Sequence, residues 1–151
     1  MPSLVDPKHL YETDYQRWLE QTIAQLRARD FLHLDLENLI TELTSLGRSE
    51  KHALASDLRR LCEHLLKIKY WEAERARCLR GWEREVLNFR LEIQDLLESS
   101  PSLSSYLQEI FPKQYRNGRK LFLQASQIDP QRVPVEPVFT LAQALDEQWL
   151  P

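Results

Sequence analysis

The chain has 151 residues, 42% of them apolar, and a net charge of −3 from 20 basic and 23 acidic side chains. That length suffices for one domain, expected over residues 1–151, with a core that needs no metal or disulfide staple. The apolar and aromatic content excludes a disordered chain, and only three glycines (Gly47, Gly81, Gly118) disfavour strands joined by tight turns.

The two cysteines, Cys62 and Cys78, sit sixteen residues apart inside helical patterns. They read as small hydrophobes in a reducing compartment rather than as a disulfide. No apolar run approaches the ~18 residues of a membrane span. The start, Met1-Pro2-Ser3-Leu4-Val5-Asp6, lacks the basic and apolar regions of a secretory leader. The expected location is the cytoplasm, with no membrane contact.

A first helix is expected over about residues 7–28, because Asp6 can cap it and Pro7 suits its first position. Tyr11, Tyr15, Trp18, Thr22 and Leu26 recur on one face. Asp35 caps a second helix with the stripe Leu36, Leu39, Ile40, Leu43 and Leu46. Gly47 then stands where a left-handed cap would end that helix, and Ser49 where a new one would begin; a break and a mere kink are both open. Leu54, Leu58, Leu61, Leu65 and Ile68 carry the pattern to about residue 71.

Nothing in 72–77 breaks a helix, yet an unbroken run over 49–99 would reach about 75 Å at 1.5 Å per residue. A turn is therefore expected in 72–77 and a helix from about 78 to 98, with Leu79, Trp82, Val86, Phe89 and Ile93 on one face. Ser100-Pro101 restarts the chain, and Pro112 kinks or restarts the following helix, which ends near Gln127. Prolines 130, 134 and 137 impose an extended arm. Thr140 caps a final helix over 141–148 that presents Leu141, Leu145 and Trp149. The arm and this helix are expected to dock on the rest and close its core. The fold class is all-α: a bundle of about four main helices, an extended proline-containing C-terminal arm and a short final helix.

Four stretches stand here in one order: Asp35-Leu-Glu-Asn-Leu-Ile-Thr-Glu-Leu-Thr-Ser-Leu-Gly-Arg-Ser-Glu50, His64-Leu-Leu-Lys67, Glu98-Ser-Ser-Pro-Ser-Leu103 and Trp149-Leu150-Pro151. Together they resemble the bacterial family called domain of unknown function 29, from Tyr11 to Pro151. The resemblance implies an all-helical fold and no particular activity. The family's usual Tyr-Gln-Pro is Tyr70-Trp71-Glu72 in this chain.

No catalytic motif is present: no Gly-x-Ser-x-Gly elbow, phosphate loop or dinucleotide fingerprint. Glu42, Glu50, Asp57 and His64 are the residue types of a metal-dependent hydrolase. However, residues seven apart on a helix stand about 10 Å apart along its axis, so no metal site and no cofactor is expected. His64 reads as structural. Arg48 and Arg90 complete a candidate polar cluster, with Arg90 at the edge of an apolar face and wanting a carboxylate fork from Glu42 or Glu50.

Charge is uneven. Residues 59–90 carry net +4, whereas 1–58 carry −4 and 91–151 carry −3. Arg59, Arg60, Lys67, Lys69, Arg75, Arg77, Arg80 and Arg84, with Tyr70, Trp71 and Trp82 among them, are the parts of a weak nucleic-acid surface. Interleaved glutamates argue against it. The expected function is therefore a small non-enzymatic interaction or regulatory protein that binds an unknown protein or its own copy. A nucleic-acid-linked role, such as a toxin–antitoxin partner, is the second reading and the hydrolase the third.

Overall fold

The computed structural model describes residues 6–151; the Met1–Val5 stretch, on which the expectation of no leader rests, lies outside the described residues. The chain is 79% helical, with no strand among the described residues. The helices are α1 (Pro7–Thr13), α2 (Tyr15–Arg27), α3 (Leu36–Tyr70), α4 (Glu72–Ser99), α5 (Leu103–Ser126) and α6 (Leu141–Leu145). None is long and apolar enough to cross a membrane. Two compact units result, Met1–Ser49 and Glu50–Pro151. Helix α3 contributes residues 36–49 to the first and 50–70 to the second.

In the first unit, Asp14 divides the expected first helix in two. It ends α1, and its side chain accepts from the Arg17 backbone N–H to cap α2. Arg29 closes α2 in a left-handed conformation, φ 56°. Trp18 is 1% exposed and is the centre of this unit, with Tyr11 edge-on at 4.9 Å and Tyr15 stacked at 5.8 Å. Its indole donates to Asp35 Oδ2 at 3.2 Å, as a buried tryptophan N–H requires. Asn38 Nδ2 donates to the same oxygen at 2.7 Å, which ties the cap of α3 to α2.

Gly47 neither breaks nor caps: α3 passes straight through it, and no glycine has positive φ. Ending the helix there would strand four carbonyls. The question left open at Gly47 is thus decided for one helix of 35 residues, and three long helices result.

The second unit is a closed core. Leu54, Leu58, Leu61 and Leu65 of α3 are fully buried, together with Val86 and Ile93 of α4 and Leu107, Tyr115 and Phe122 of α5. The turn expected in 72–77 lies earlier, at Trp71 alone, and α4 starts at Glu72 rather than near 78. Arg75 makes this one-residue turn possible. Its guanidinium donates to the Ile68 and Lys69 carbonyls at 3.0 and 2.9 Å, capping α3 from the next helix. Trp71 stacks on Trp82 at 5.7 Å. Helix α5 starts at Leu103, two residues later than Pro101, and runs through Pro112 unbroken. Pro112 is exposed, as is Gln108, whose carbonyl loses its helical donor there.

The C-terminal arm docks as expected. A 3₁₀ turn, Pro130–Arg132, interrupts its extended course. Arg119 then donates to the carbonyls of Val133 and Pro130, and the Tyr115 hydroxyl to that of Pro134. Val133 and Phe139 are buried at 1% and 4%, whereas Val135 faces solvent. Thr140 and Gln143 form a full capping box for α6, which stops at Leu145, short of 148.

One close approach sets the spacing of this core. A Cβ on Gly118 of α5 would stand 2.7 Å from the Arg59 carbonyl oxygen and 2.9 Å from the Glu63 nitrogen, both backbone atoms of α3. Gly118→Ala should therefore lower stability by about 1–3 kcal/mol through overpacking. Gly81→Ala, with nothing within 4 Å of its Cβ, should raise it by about 0.5–1 kcal/mol. Urea unfolding followed by tryptophan fluorescence measures both. Equal midpoints for Gly118→Ala and the parent would deny the close crossing.

Candidate functional site

The six polar positions expected as a cluster lie apart, five of them with separate partners. Glu42 accepts two hydroxyls, from Tyr11 at 2.6 Å and Tyr15 at 2.7 Å. These bonds hold its carboxyl below the usual range and push both tyrosines up. Glu50 accepts from Ser100 Oγ at 3.2 Å. Arg48 is exposed. His64 is buried, with Nδ1 2.8 Å from the Arg60 carbonyl oxygen and its ring 5.6 Å from that of Phe89.

Arg90 is buried, but its partner is neither Glu42 nor Glu50. It donates to the carbonyls of Ala144 at 2.7 Å, Gln143 at 3.4 Å and Trp149 at 2.8 Å. Gln143 and Ala144 belong to α6 and Trp149 lies four residues beyond it, so the guanidinium gathers three carbonyls of the C-terminal segment at once. Arg90 thus clasps the C-terminal segment to α4. Burial lowers its pKa; Asp146 and Glu147 work the other way. Among the described residues no group of three His, Cys, Asp or Glu side chains could hold a metal ion. The four residues of the hydrolase reading are not brought into one ligand set.

The basic segment is largely engaged within the chain. Arg60 and Lys67 each lie 3.5 Å from Glu63, and Arg77 pairs with Glu74. Arg75 caps α3. Lys69 stands over the Tyr70 ring at 5.7 Å, and Arg59 reaches Ser56 Oγ at 3.5 Å. Arg80 and Arg84 are exposed. Both cysteines are free; burial pushes the Cys62 thiol well up, which makes it a poor nucleophile.

The largest unexplained feature lies in the first unit. The stripe Leu36, Ile40, Leu43 and Leu46 is open, at 58%, 54%, 60% and 63% exposure. Asp35, Asn38 and Glu42 form the side of α3 that meets Trp18, Tyr11 and Tyr15. The apolar row beside it is left to solvent; Ile23 and Leu26 of α2 and Phe31 and Leu32 of the connecting loop are exposed as well. Sequence reasoning missed this by taking an apolar stripe for a core stripe. The available signal was the neighbouring polar row, whose acceptors match the aromatic donors of α1 and α2.

A family model for Domain of unknown function DUF29 matches residues 10–150. The chain belongs to that family. No curated protein and no solved structure matches it. In this member of DUF29, the stretch 35–50 that carried the resemblance is the one that bears both the aromatic-clasping carboxylates and the open stripe.

Asp57 gives the second unit a titration of its own. Burial first, then the charge of Glu92 and a hydrogen bond to it, push the Asp57 carboxyl from 3.8 up to about 6. Between those values the folded chain keeps a proton that the unfolded chain has lost. The resulting stability is present below pH 3.8 and is lost as pH rises through about 6. His64 runs oppositely: burial lowers it below 6.5, so its contribution is lost as pH falls below that value. Asp57→Asn should flatten the decline between pH 4 and 6 and stabilise the fold at pH 7 by about 1–2 kcal/mol, discounted for partial exposure. Chemical unfolding at pH 4, 5, 6 and 7 gives both slopes; parallel curves for variant and parent would contradict the assignment.

Proposed function

We propose that this protein is a non-enzymatic helical interaction protein whose working part is the open apolar face of its first unit. The observation that carries this reading is the row of large aliphatic side chains, Leu36, Ile40, Leu43 and Leu46, left exposed along one stripe of α3. Soluble monomers rarely leave an apolar patch beyond about 300–600 Å² uncovered. Nine large hydrophobic residues of this unit are each 40–89% exposed, four of them on the α3 stripe. The face lacks what chemistry needs: the nearby carboxylates, Asp35 and Glu42, are committed to Trp18, Tyr11 and Tyr15. Apolar area without directed polar groups suits adhesion between proteins rather than turnover of a small substrate.

A benzophenone side chain carried at position 43 in living cells tests the reading. Irradiation should give discrete protein adducts, whereas the same group at exposed position 125 of α5 should give few or none. Absence of any protein adduct from position 43 would overturn the proposal.

A further inference from the structure

We infer that the occupant of the open face is a second copy of this chain, paired antiparallel through α3 about a two-fold axis. This rests on the docking reading above and names its partner.

Three features point to self-pairing. The first is size. A unit of 49 residues, with the rest of the chain in another unit, is at the limit where a core closes without help. Leu10 and Trp18 are the only large hydrophobics it buries among its described residues. The second is area. The nine exposed large hydrophobics of this unit together offer on the order of 800–1,000 Å², the scale a standard stable interface takes from each partner, and the α3 stripe holds four of them.

The third is the pattern along α3. Leu36, Ile40, Leu43 and Gly47 follow one another at spacings of four, three and four, a heptad seam. Laid antiparallel on its own copy, this seam sets Ile40 opposite Leu43 and Leu36 opposite Gly47. The large side chain thus meets the one seam position that has none, and open space surrounds the place where a Gly47 Cβ would be. In the same register Glu37 of one copy comes within side-chain reach of Arg48 of the other, on the same flank, twice by symmetry. Both residues are exposed. Glu37 has one other charged neighbour, Lys8 at 3.6 Å, in a solvent-exposed pair of little strength. A parallel two-fold pairing would put Glu37 of one copy and Arg48 of the other on opposite flanks of the seam, out of reach of each other. The acidic start and basic end of the seam therefore select the antiparallel arrangement. Ile23 and Leu26 of α2 would flank the seam and complete a four-helix core from two copies.

Sedimentation equilibrium of the full chain over about 1–100 µM tests the inference. The expected result is a two-chain mass, with Leu43→Glu weakening association about 100-fold or more, as loss of a central anchor does. Glu37→Lys and Arg48→Glu should each weaken it about 5–10-fold, and the double variant should return to within about 3-fold of the parent. These charge positions are exposed, so that arm holds even if Leu43→Glu disturbs folding. A one-chain mass at all concentrations overturns the inference, as does a dimer indifferent to Leu43→Glu or a double variant no better than the singles. Adducts from position 43 to a different protein, alongside a one-chain mass, would keep the docking reading and discard self-pairing.

Discussion

How near α5 can come to α3 decides the shape of the second unit. At Gly118 the two backbones touch, with room for a hydrogen and not for a methyl group. Because they touch, Tyr115 and Phe122, on either side of that glycine, sink fully into the core. Tyr115 then offers its hydroxyl to the Pro134 carbonyl and its ring edge to Phe139, and so draws in the C-terminal arm. Burial lifts the Tyr115 hydroxyl to about 12, so it stays a donor throughout the ordinary pH range. The arm delivers α6, and Arg90 closes the circuit by taking carbonyls of the C-terminal segment. A wider crossing would loosen each later step, which is why one glycine outweighs the other two.

The elements written in local chemistry were legible in the sequence. Thr140 as a cap and Asp6 before Pro7 act within a few residues, and each did what its type predicts, whereas Pro130 of the arm opens a 3₁₀ turn. Features set by distant partners were not legible. The turn at Trp71 has no glycine or proline; it exists because Arg75 caps the helix before it and Trp82 receives the indole. Gly47 left a break and a kink equally open in the sequence, and α3 runs on through it. The arginine expected to seek a carboxylate, Arg90, instead meets backbone carbonyls more than fifty residues away. Of the candidate site, the polar positions were visible but not their partners, since a helical repeat gives the face of a residue and not what stands across from it.

The same limit hid the open stripe. Leu54 and Leu43 look alike in the sequence, and both belong to α3. Leu54 is fully buried, and Leu43 is 60% exposed. The difference lies in what packs on each stretch. Residues 54–68 have α4, α5 and the arm, which close a core around them. Residues 36–46 have α1 and α2, and these spend their aromatic side chains on the polar row through Asp35 and Glu42. One unit therefore has its apolar surface satisfied within the chain, and the other has it half satisfied.

On the proposed self-pairing a second copy complements the first unit alone, so local stability should depend on concentration in one part of the chain and not in the other. Amide hydrogen exchange at low and high protein concentration measures this directly. Protection of residues 36–46 should rise between about 1 and 100 µM, while residues 54–68 stay constant and strongly protected. Equal protection of residues 36–46 at both concentrations would contradict the account.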